Sequence, residues 1–193
     1  MGTFIFILLF ILGISWAIRA GLSDEPLLAH TKSHWNQTVE LDNVTPREFY
    51  DSVQARVAQH QLRNVKMRVV EFNEGGVLSD RREYLRVQSG EDIFDLCAVP
   101  FGGGLYVSSW LADQPSPFLD AMAATPIVGI VVRAYLRFMH PETYYRVDSS
   151  LLFQSVVHSC VLEVLEELIT IQGARPLSEF DRKPVMRELY ATR

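Results

Sequence analysis

The chain has few cysteines and no excess of positive charge, and each of these two features excludes a class of protein. Cys97 and Cys160 are its 2 cysteines, too few for a disulfide framework or a cysteine-rich metal site, so we expect two buried thiols. Lys and Arg number 18 against 23 Asp and Glu, a net charge of -5. Because nucleic-acid-binding proteins attract phosphate through a basic field, no nucleic-acid partner is expected.

Signatures of catalysis are also missing from the sequence. The 193 residues are 48% hydrophobic and 21% charged, a composition that excludes disorder and a length that excludes a multidomain enzyme. No nucleophile elbow occurs, and the glycine cluster at 102–104 precedes a predicted strand and not the helix that a phosphate loop requires. His30 and His34 have an i, i+4 spacing but no further ligands, so no cofactor and no metal is expected. An enzymatic role for Asp95 or His158 stays open, but the sequence favours a non-enzymatic protein.

The N-terminus contains the first of two long apolar runs. Residues 3–18 carry no charge, and Arg19 is the only charge in residues 1–22. At ~1.5 Å per residue this run approaches the ~30 Å hydrocarbon core of a bilayer. We therefore predict a transmembrane anchor over residues 1–22 and a juxtamembrane linker over 23–44, which ends in a short strand at 38–41. A cleaved signal peptide is the alternative.

Charges beside this run predict its orientation. Arg19 and Lys32 follow the run, and no Lys or Arg precedes it. The positive-inside rule then predicts a single-pass membrane protein whose C-terminal domain lies in the cytoplasm.

The second apolar run covers residues 118–139. Twelve uncharged residues separate Asp120 from Arg133, too few to span a bilayer. A buried helix, a re-entrant segment and an interfacial segment all remain open, and membrane lipid is an expected partner.

Residues 45–193 are predicted to form a single α+β domain. Thr45, Pro46 and Glu48 form a capping box that starts a helix running to about residue 61. Alternation of period two predicts a half-buried strand over 65–70, and further strands are predicted over 82–87, 93–99 and 105–111. The run 93–99 is apolar on both faces except for Asp95, which predicts a central strand covered from both sides. A wide apolar stripe predicts a last helix that Asp148 or Ser149 caps and that residue 173, a glycine, ends. The expected fold is an N-terminal transmembrane helix, then a helix and a four-stranded antiparallel sheet covered by C-terminal helices.

The hairpin 65–70/82–87 supplies the candidate ligand-binding residues. Lys66 and Arg68 share one face of their strand, and Arg82, Tyr84 and Arg86 share one face of the next. If the hairpin aligns the two sets, they form a cationic patch that can hold a phosphate or a partner's carboxylates. An ordinary solvated face is the alternative.

Asp95 is the candidate for a buried charge. It interrupts an otherwise apolar strand, and a carboxylate in that position must find a partner, for which Arg68 and Arg86 are the candidates.

Three stretches carry a resemblance to known proteins. They read REYLRV at 82–87, FDLCAVPFG at 94–102 and TYYRVD at 143–148, the last running into Leu152, Phe153 and Gln154. Over about residues 45–190 the chain resembles a family of uncharacterised bacterial membrane-associated proteins, whose members carry a longer hydrophobic insertion at 118–138. The resemblance implies no activity. It implies that a buried polar clasp joins sheet and last helix through Tyr144, Tyr145, Arg146 and Asp148.

The favoured function is a membrane-anchored, non-enzymatic domain that binds a protein partner in an accessory or immunity-like role. The alternative is a domain that binds an anionic ligand or lipid headgroup through the basic sheet face. The sequence leaves the oligomeric state open.

Overall fold

The computed structural model describes residues 31–73, 81–114 and 143–186. Within these ranges it has two helices, α1 (Pro46–Gln59) and α2 (Tyr144–Gln172). Its six strands are β1 (Thr31–Val39), β2 (Val65–Asn73), β3 (Arg81–Ser89), β4 (Asp92–Phe101), β5 (Gly104–Asp113) and β6 (Val185–Met186). The predicted α+β class agrees with this architecture.

The six strands form one antiparallel sheet in the order β2-β3-β4-β5-β1-β6. Strands β2 to β5 are the predicted meander, in which each strand pairs with the next. The prediction of four strands is wrong, because β1 joins the sheet beside β5 and the two-residue β6 joins beside β1.

Strand β1 lies within the predicted linker 23–44, where the sequence predicts a strand only at 38–41. Its pairing with β5 runs from Thr31 opposite Ala112 to Val39 opposite Leu105. Trp35 and Val39 are buried, but the other residues of the strand are polar or charged, so its sequence lacks the apolar alternation of a half-buried strand. Pairing with a distant segment, rather than a local pattern, makes this stretch a strand.

The structure also corrects the membrane predictions. None of the helices within residues 31–73, 81–114 and 143–186 is long and apolar enough to cross a membrane. On this finding the predicted transmembrane helix and the single-pass membrane localisation are wrong. The two apolar runs on which those predictions depended, 1–22 and 118–139, lie outside the described residues.

Helix α1 begins at the capping box that the sequence contains. The Thr45 side chain accepts a hydrogen bond from the Glu48 backbone N–H, and the Glu48 carboxylate accepts one from the Thr45 backbone N–H. Pro46 occupies the first turn, where a missing N–H costs nothing. Four buried side chains form the face toward the sheet: Phe49, Tyr50, Val53 and Val57.

The N-cap of helix α2 lies five or six residues before the predicted one. Thr143, and not Asp148 or Ser149, is the N-cap, and its side chain accepts a hydrogen bond from the Arg146 N–H. The predicted end is observed: Gly173 adopts the left-handed conformation, with φ of 68°, which glycine reaches without strain.

The core lies between the two helices and one face of the sheet. Hydrophobic side chains of β1, β3, β4 and β5 meet those of α1 and α2 there, among them Phe94, Leu96, Leu105, Val107, Leu111, Val157, Val161 and Leu165. Both cysteines are buried and free, as expected, and burial raises the pKa of the Cys160 thiol to about 11.

A candidate interaction surface on strands β2 and β3

The strand register puts all five sequence-predicted ligand-binding residues on one face of the sheet. Arg68 lies opposite Arg86, and Lys66, two residues earlier, shares its face. Tyr84 and Arg82 follow Arg86 on that face at intervals of two residues. Leu85 lies between them and points the other way, into the core beneath the helices. The five residues therefore lie on the face away from α1 and α2.

Arg86 is inside the protein and does not contribute to the exposed surface. Its side chain is 2% exposed, and it donates from Nε and Nη2 to the two Asp95 carboxylate oxygens, each at 2.7 Å. The ring of Phe72 covers the guanidinium, with the Arg86 Cζ 5.3 Å from the ring centroid. Asp95, 3% exposed, is therefore part of a buried ion pair. We call the remaining four residues, Lys66, Arg68, Arg82 and Tyr84, the basic strip.

The basic strip is cationic at the surface and aromatic beneath. Lys66, Arg68 and Arg82 are exposed, and Tyr84 is half-buried. The Tyr84 ring packs against the ring of Phe72 with their centroids 4.9 Å apart. Three positive groups on one face of a hairpin can attract carboxylates or phosphates, and the packed rings fix the surface that carries them.

Strand β2 forms one end of the sheet. Among the described residues, β3 is the strand with which it pairs, so its other edge carries backbone N–H and C=O groups that face away from β3. Val65 and Met67 pack partly against the core, and Val69 is 49% exposed. The edge is therefore bordered by apolar side chains on the helix face and by Lys66 and Arg68 on the other.

A shallow depression of about 480 Å³ lies where β2 begins. Its lining is Asn64, Val65, Lys66, Gln88 and Gly90. Asn64 and Gly90 have positive φ angles of 57° and 60°. They lie in the tight turns that lead into β2 and out of β3. Lys66 belongs both to the basic strip and to the lining of this depression, so the two are adjacent at the end of the hairpin.

The implied clasp between sheet and last helix is mostly exposed. Tyr144 is 90% exposed and Tyr145 is 83% exposed, and Asp148 is exposed as well. Arg146 forms an ion pair with Glu91 in the turn between β3 and β4. The prediction of a buried polar set fails here because α2 already begins at Tyr144, which turns its first residues toward solvent.

Another polar cluster joins helix to sheet, and the sequence contains no signal for it. Lys32 Nζ lies 2.7 Å from a carboxylate oxygen of Asp92 and 2.7 Å from one of Asp113. It also donates to the Ser150 hydroxyl at 3.0 Å, and that hydroxyl donates to Asp92 at 2.6 Å. Burial alone would lower the pKa of Lys32, but hydrogen bonds to Asp113 and Asp92 outweigh burial and raise it. We call these four residues the Lys32 clasp.

His158, for which an enzymatic role stayed open, lies on α2 and is 6% exposed. Its Nε2 lies 2.7 Å from the Arg182 carbonyl oxygen, which can only accept, so Nε2–H donates. Its ring meets the Trp35 ring edge-on, with centroids 5.0 Å apart. Burial lowers the pKa of His158, although its hydrogen bond to the Arg182 carbonyl opposes that effect.

Comparison with known protein families, with curated proteins and with solved structures finds no match to this chain. Among the residues that the structure describes, no group of three His, Cys, Asp or Glu side chains is placed to hold a metal ion. The chemistry at the surface is therefore that of the basic strip and the edge of β2: positive charge, apolar side chains and backbone hydrogen-bonding groups.

Proposed function

We propose that this chain is a non-enzymatic domain that binds a protein partner by adding an extended segment of that partner to the edge of β2. The single observation that carries the proposal is the position of β2 at the end of the sheet, where its outer backbone groups pair with no other described strand. An exposed edge is a template for a further strand, and the backbone hydrogen bonds of strand addition supply affinity.

The polar groups that could have supported catalysis have structural roles. Asp95 is held by Arg86, and His158 is held by the Arg182 carbonyl beneath Trp35. Ser150 lies beside Lys32, whose raised pKa keeps it charged and unable to act as a base. These contacts favour binding over the enzymatic alternative.

Selection of random displayed peptides on the full chain tests the proposal. Peptides that bind by strand addition protect amide hydrogens of residues 65–73 from exchange, because the outer N–H groups of β2 become hydrogen-bonded. Only alternate N–H groups of the peptide face β2. N-methylation of that set therefore abolishes binding, whereas N-methylation of the other set is tolerated. Equal tolerance of both sets, or protection that leaves residues 65–73 unchanged, would overturn the proposal.

The basic strip favours a second candidate function, the binding of a small anionic ligand. A substitution of Arg82 distinguishes anion binding from strand addition, because Arg82 lies on β3, away from the β2 edge, whereas Lys66 lies on β2 itself. The small-ligand candidate is supported if the chain selects no peptides but binds inorganic phosphate or a nucleotide, and if Arg82→Glu abolishes that binding. Peptide binding that persists in Arg82→Glu supports strand addition.

A further inference from the structure

The two sides of the β2 edge differ chemically in a regular way. Val65, Met67 and Val69 border the helix-covered face, and the first two pack partly on the core. Lys66 and Arg68 border the opposite face, and both are exposed. The edge therefore alternates apolar and cationic side chains over five consecutive residues.

A strand added to this edge meets each of these side chains in turn. Residues directly opposite each other on paired strands have Cβ atoms about 4.5–5.5 Å apart, and successive residues point to opposite faces. A residue beside Met67 or Val69 extends the apolar face, and a residue beside Lys66 or Arg68 faces a cation. Continuing from the proposed strand addition, we infer that the partner segment alternates apolar and acidic residues, with two acids separated by one residue.

A second copy of this chain does not fit the same edge. Antiparallel pairing of β2 with another β2 about Met67 would bring Lys66 of each copy opposite Arg68 of the other. Pairing centred on either cation would bring it opposite its own equivalent. Like charges directly opposite each other destabilise a strand pair, and the net charge of -5 adds repulsion between copies. Charge complementarity thus selects a different, acidic partner.

Cationic side chains on an edge strand also prevent aggregation, and this protective effect does not conflict with acidic recognition. The same charges that repel a second basic edge attract an acidic strand. The surrounding chain is acidic overall, so an acidic segment is repelled from much of the surface and attracted to this edge.

Fluorescence anisotropy with labelled synthetic peptides and the full chain tests the inference. The probe is Val-Glu-Val-Glu-Val between polar flanking residues. Three comparison peptides have Gln for Glu, Lys for Glu, or the same five residues in the blocked order Val-Val-Val-Glu-Glu. We expect the alternating acidic peptide to bind about tenfold tighter than the Gln and blocked peptides, and the Lys peptide to bind weakest.

Charge reversal on the protein supplies the matched test. The variant Lys66→Glu/Arg68→Glu is expected to reverse the order, so that it prefers the Lys peptide. Arg47→Glu/Lys183→Glu, at two exposed positions off the edge, changes the net charge by the same amount and is expected to keep the wild-type order. Circular dichroism checks that both variants remain folded.

The outcomes separate this inference from the proposed function. If Gln or Lys peptides bind the wild-type chain as tightly as the acidic one and protect residues 65–73, strand addition stands and the acidic specificity is wrong. Absence of binding by every alternating peptide overturns the acidic specificity, and absence of peptides selected from the random library as well overturns strand addition.

Discussion

Arg86 and Asp95 lie directly opposite each other on β3 and β4 and are joined by two parallel hydrogen bonds of 2.7 Å. Both are 3% exposed or less. Removing two charges from water is costly, and the pair is tolerated because the fork of the guanidinium matches both carboxylate oxygens. The pair contributes to one specific strand register, since a slip of one residue would separate the two charges.

Asp95→Ala is expected to destabilise the chain by about 3–5 kcal/mol, because it leaves the guanidinium of Arg86 buried without a counter-charge. Urea unfolding followed by circular dichroism measures the loss. Replacing both residues, as in Arg86→Met/Asp95→Leu, should recover much of it, since no charge then stays buried. The control is Arg81→Ala, which removes an exposed ion pair with Glu71 and should cost less than ~1 kcal/mol. A loss in Asp95→Ala no larger than in this control would contradict the expectation.

Tyr50 connects α1 to the sheet at the point where β3 and β4 separate. Its hydroxyl donates to the Glu83 carbonyl and accepts from the Ala98 N–H, both at 2.8 Å. The paired register of these strands begins at the adjacent residues, Tyr84 opposite Cys97. The hydroxyl thus takes the place of a backbone hydrogen bond between the strands, and its burial raises the pKa of Tyr50.

Tyr50→Phe keeps the ring and removes only this bridge. It leaves a carbonyl and an N–H without their partner, so we expect a loss of about 1–3 kcal/mol in the free energy of unfolding. Faster exchange of the Ala98 amide hydrogen should accompany the loss. Tyr145→Phe, at an exposed position, is the matched control and should change neither quantity. Unchanged exchange at Ala98 would show that the bridge is not needed to hold the strands.

The Lys32 clasp predicts an alkaline limit to stability. Lys32→Met leaves Asp92 and Asp113 side by side, and it is expected to cost more than the ~0.2–1 kcal/mol typical of an exposed ion pair. The pKa of Lys32 is raised above its ordinary 10.5. Its contribution is therefore fully present below pH 10.5 and is lost as pH rises through the higher folded value.

The free energy of unfolding, measured from about pH 7 to about pH 11, tests whether the contribution of Lys32 is lost at alkaline pH. The difference between wild type and Lys32→Met should be constant at first and shrink at the alkaline end. Lys183→Met, at an exposed position, should show no such pH-dependent difference. A gap that widens with rising pH would contradict the clasp.

Short sequence patterns predict much of the fold, and the rest depends on contacts between segments that are distant in the sequence. The capping box of Thr45 and Glu48, the alternation in β2 and the apolar run in β4 arise from near neighbours, so a pattern of a few residues predicts them. Strand β1 depends on β5, with Trp35 opposite Ser109, and no pattern within residues 31–39 reveals that partner. The start of α2 was misplaced because Tyr144 and Tyr145, which favour strands, occupy its first turn.

Part of the candidate surface can be predicted from short sequence patterns, and part depends on strand pairing. Alternation alone predicts that Lys66 and Arg68 share a face with Arg82 and Tyr84. The burial of Arg86 depends on Phe72 and Asp95 from adjacent strands, which only the register brings together. Among the described strands, β2 lies at the end of the sheet because β1 pairs with β5 and not with β2, and tertiary packing determines that pairing.

Residues 177–186 are held against β1 and α2 by hydrogen bonds from Trp35 and His158. The Trp35 indole N–H donates to the Asp181 carbonyl at 2.5 Å, and His158 Nε2–H donates to the Arg182 carbonyl. The Arg182 side chain forms an ion pair with Glu166. The other ring nitrogen of His158 is buried without a hydrogen-bond partner among the described residues. A proton placed there would bring an unpaired charge into the core.

Stability is therefore expected to fall with acid as His158 is forced to accept a proton. Because its folded pKa lies below the ordinary 6.5, its contribution is fully present above pH 6.5 and is lost as pH falls through the folded value. His158→Gln, whose amide can still donate to the Arg182 carbonyl, should flatten this dependence. His34→Gln, on a half-buried ring stacked on Trp110, should retain it. Identical pH profiles for wild type and His158→Gln between about pH 5 and about pH 8 would assign the acid sensitivity to other groups.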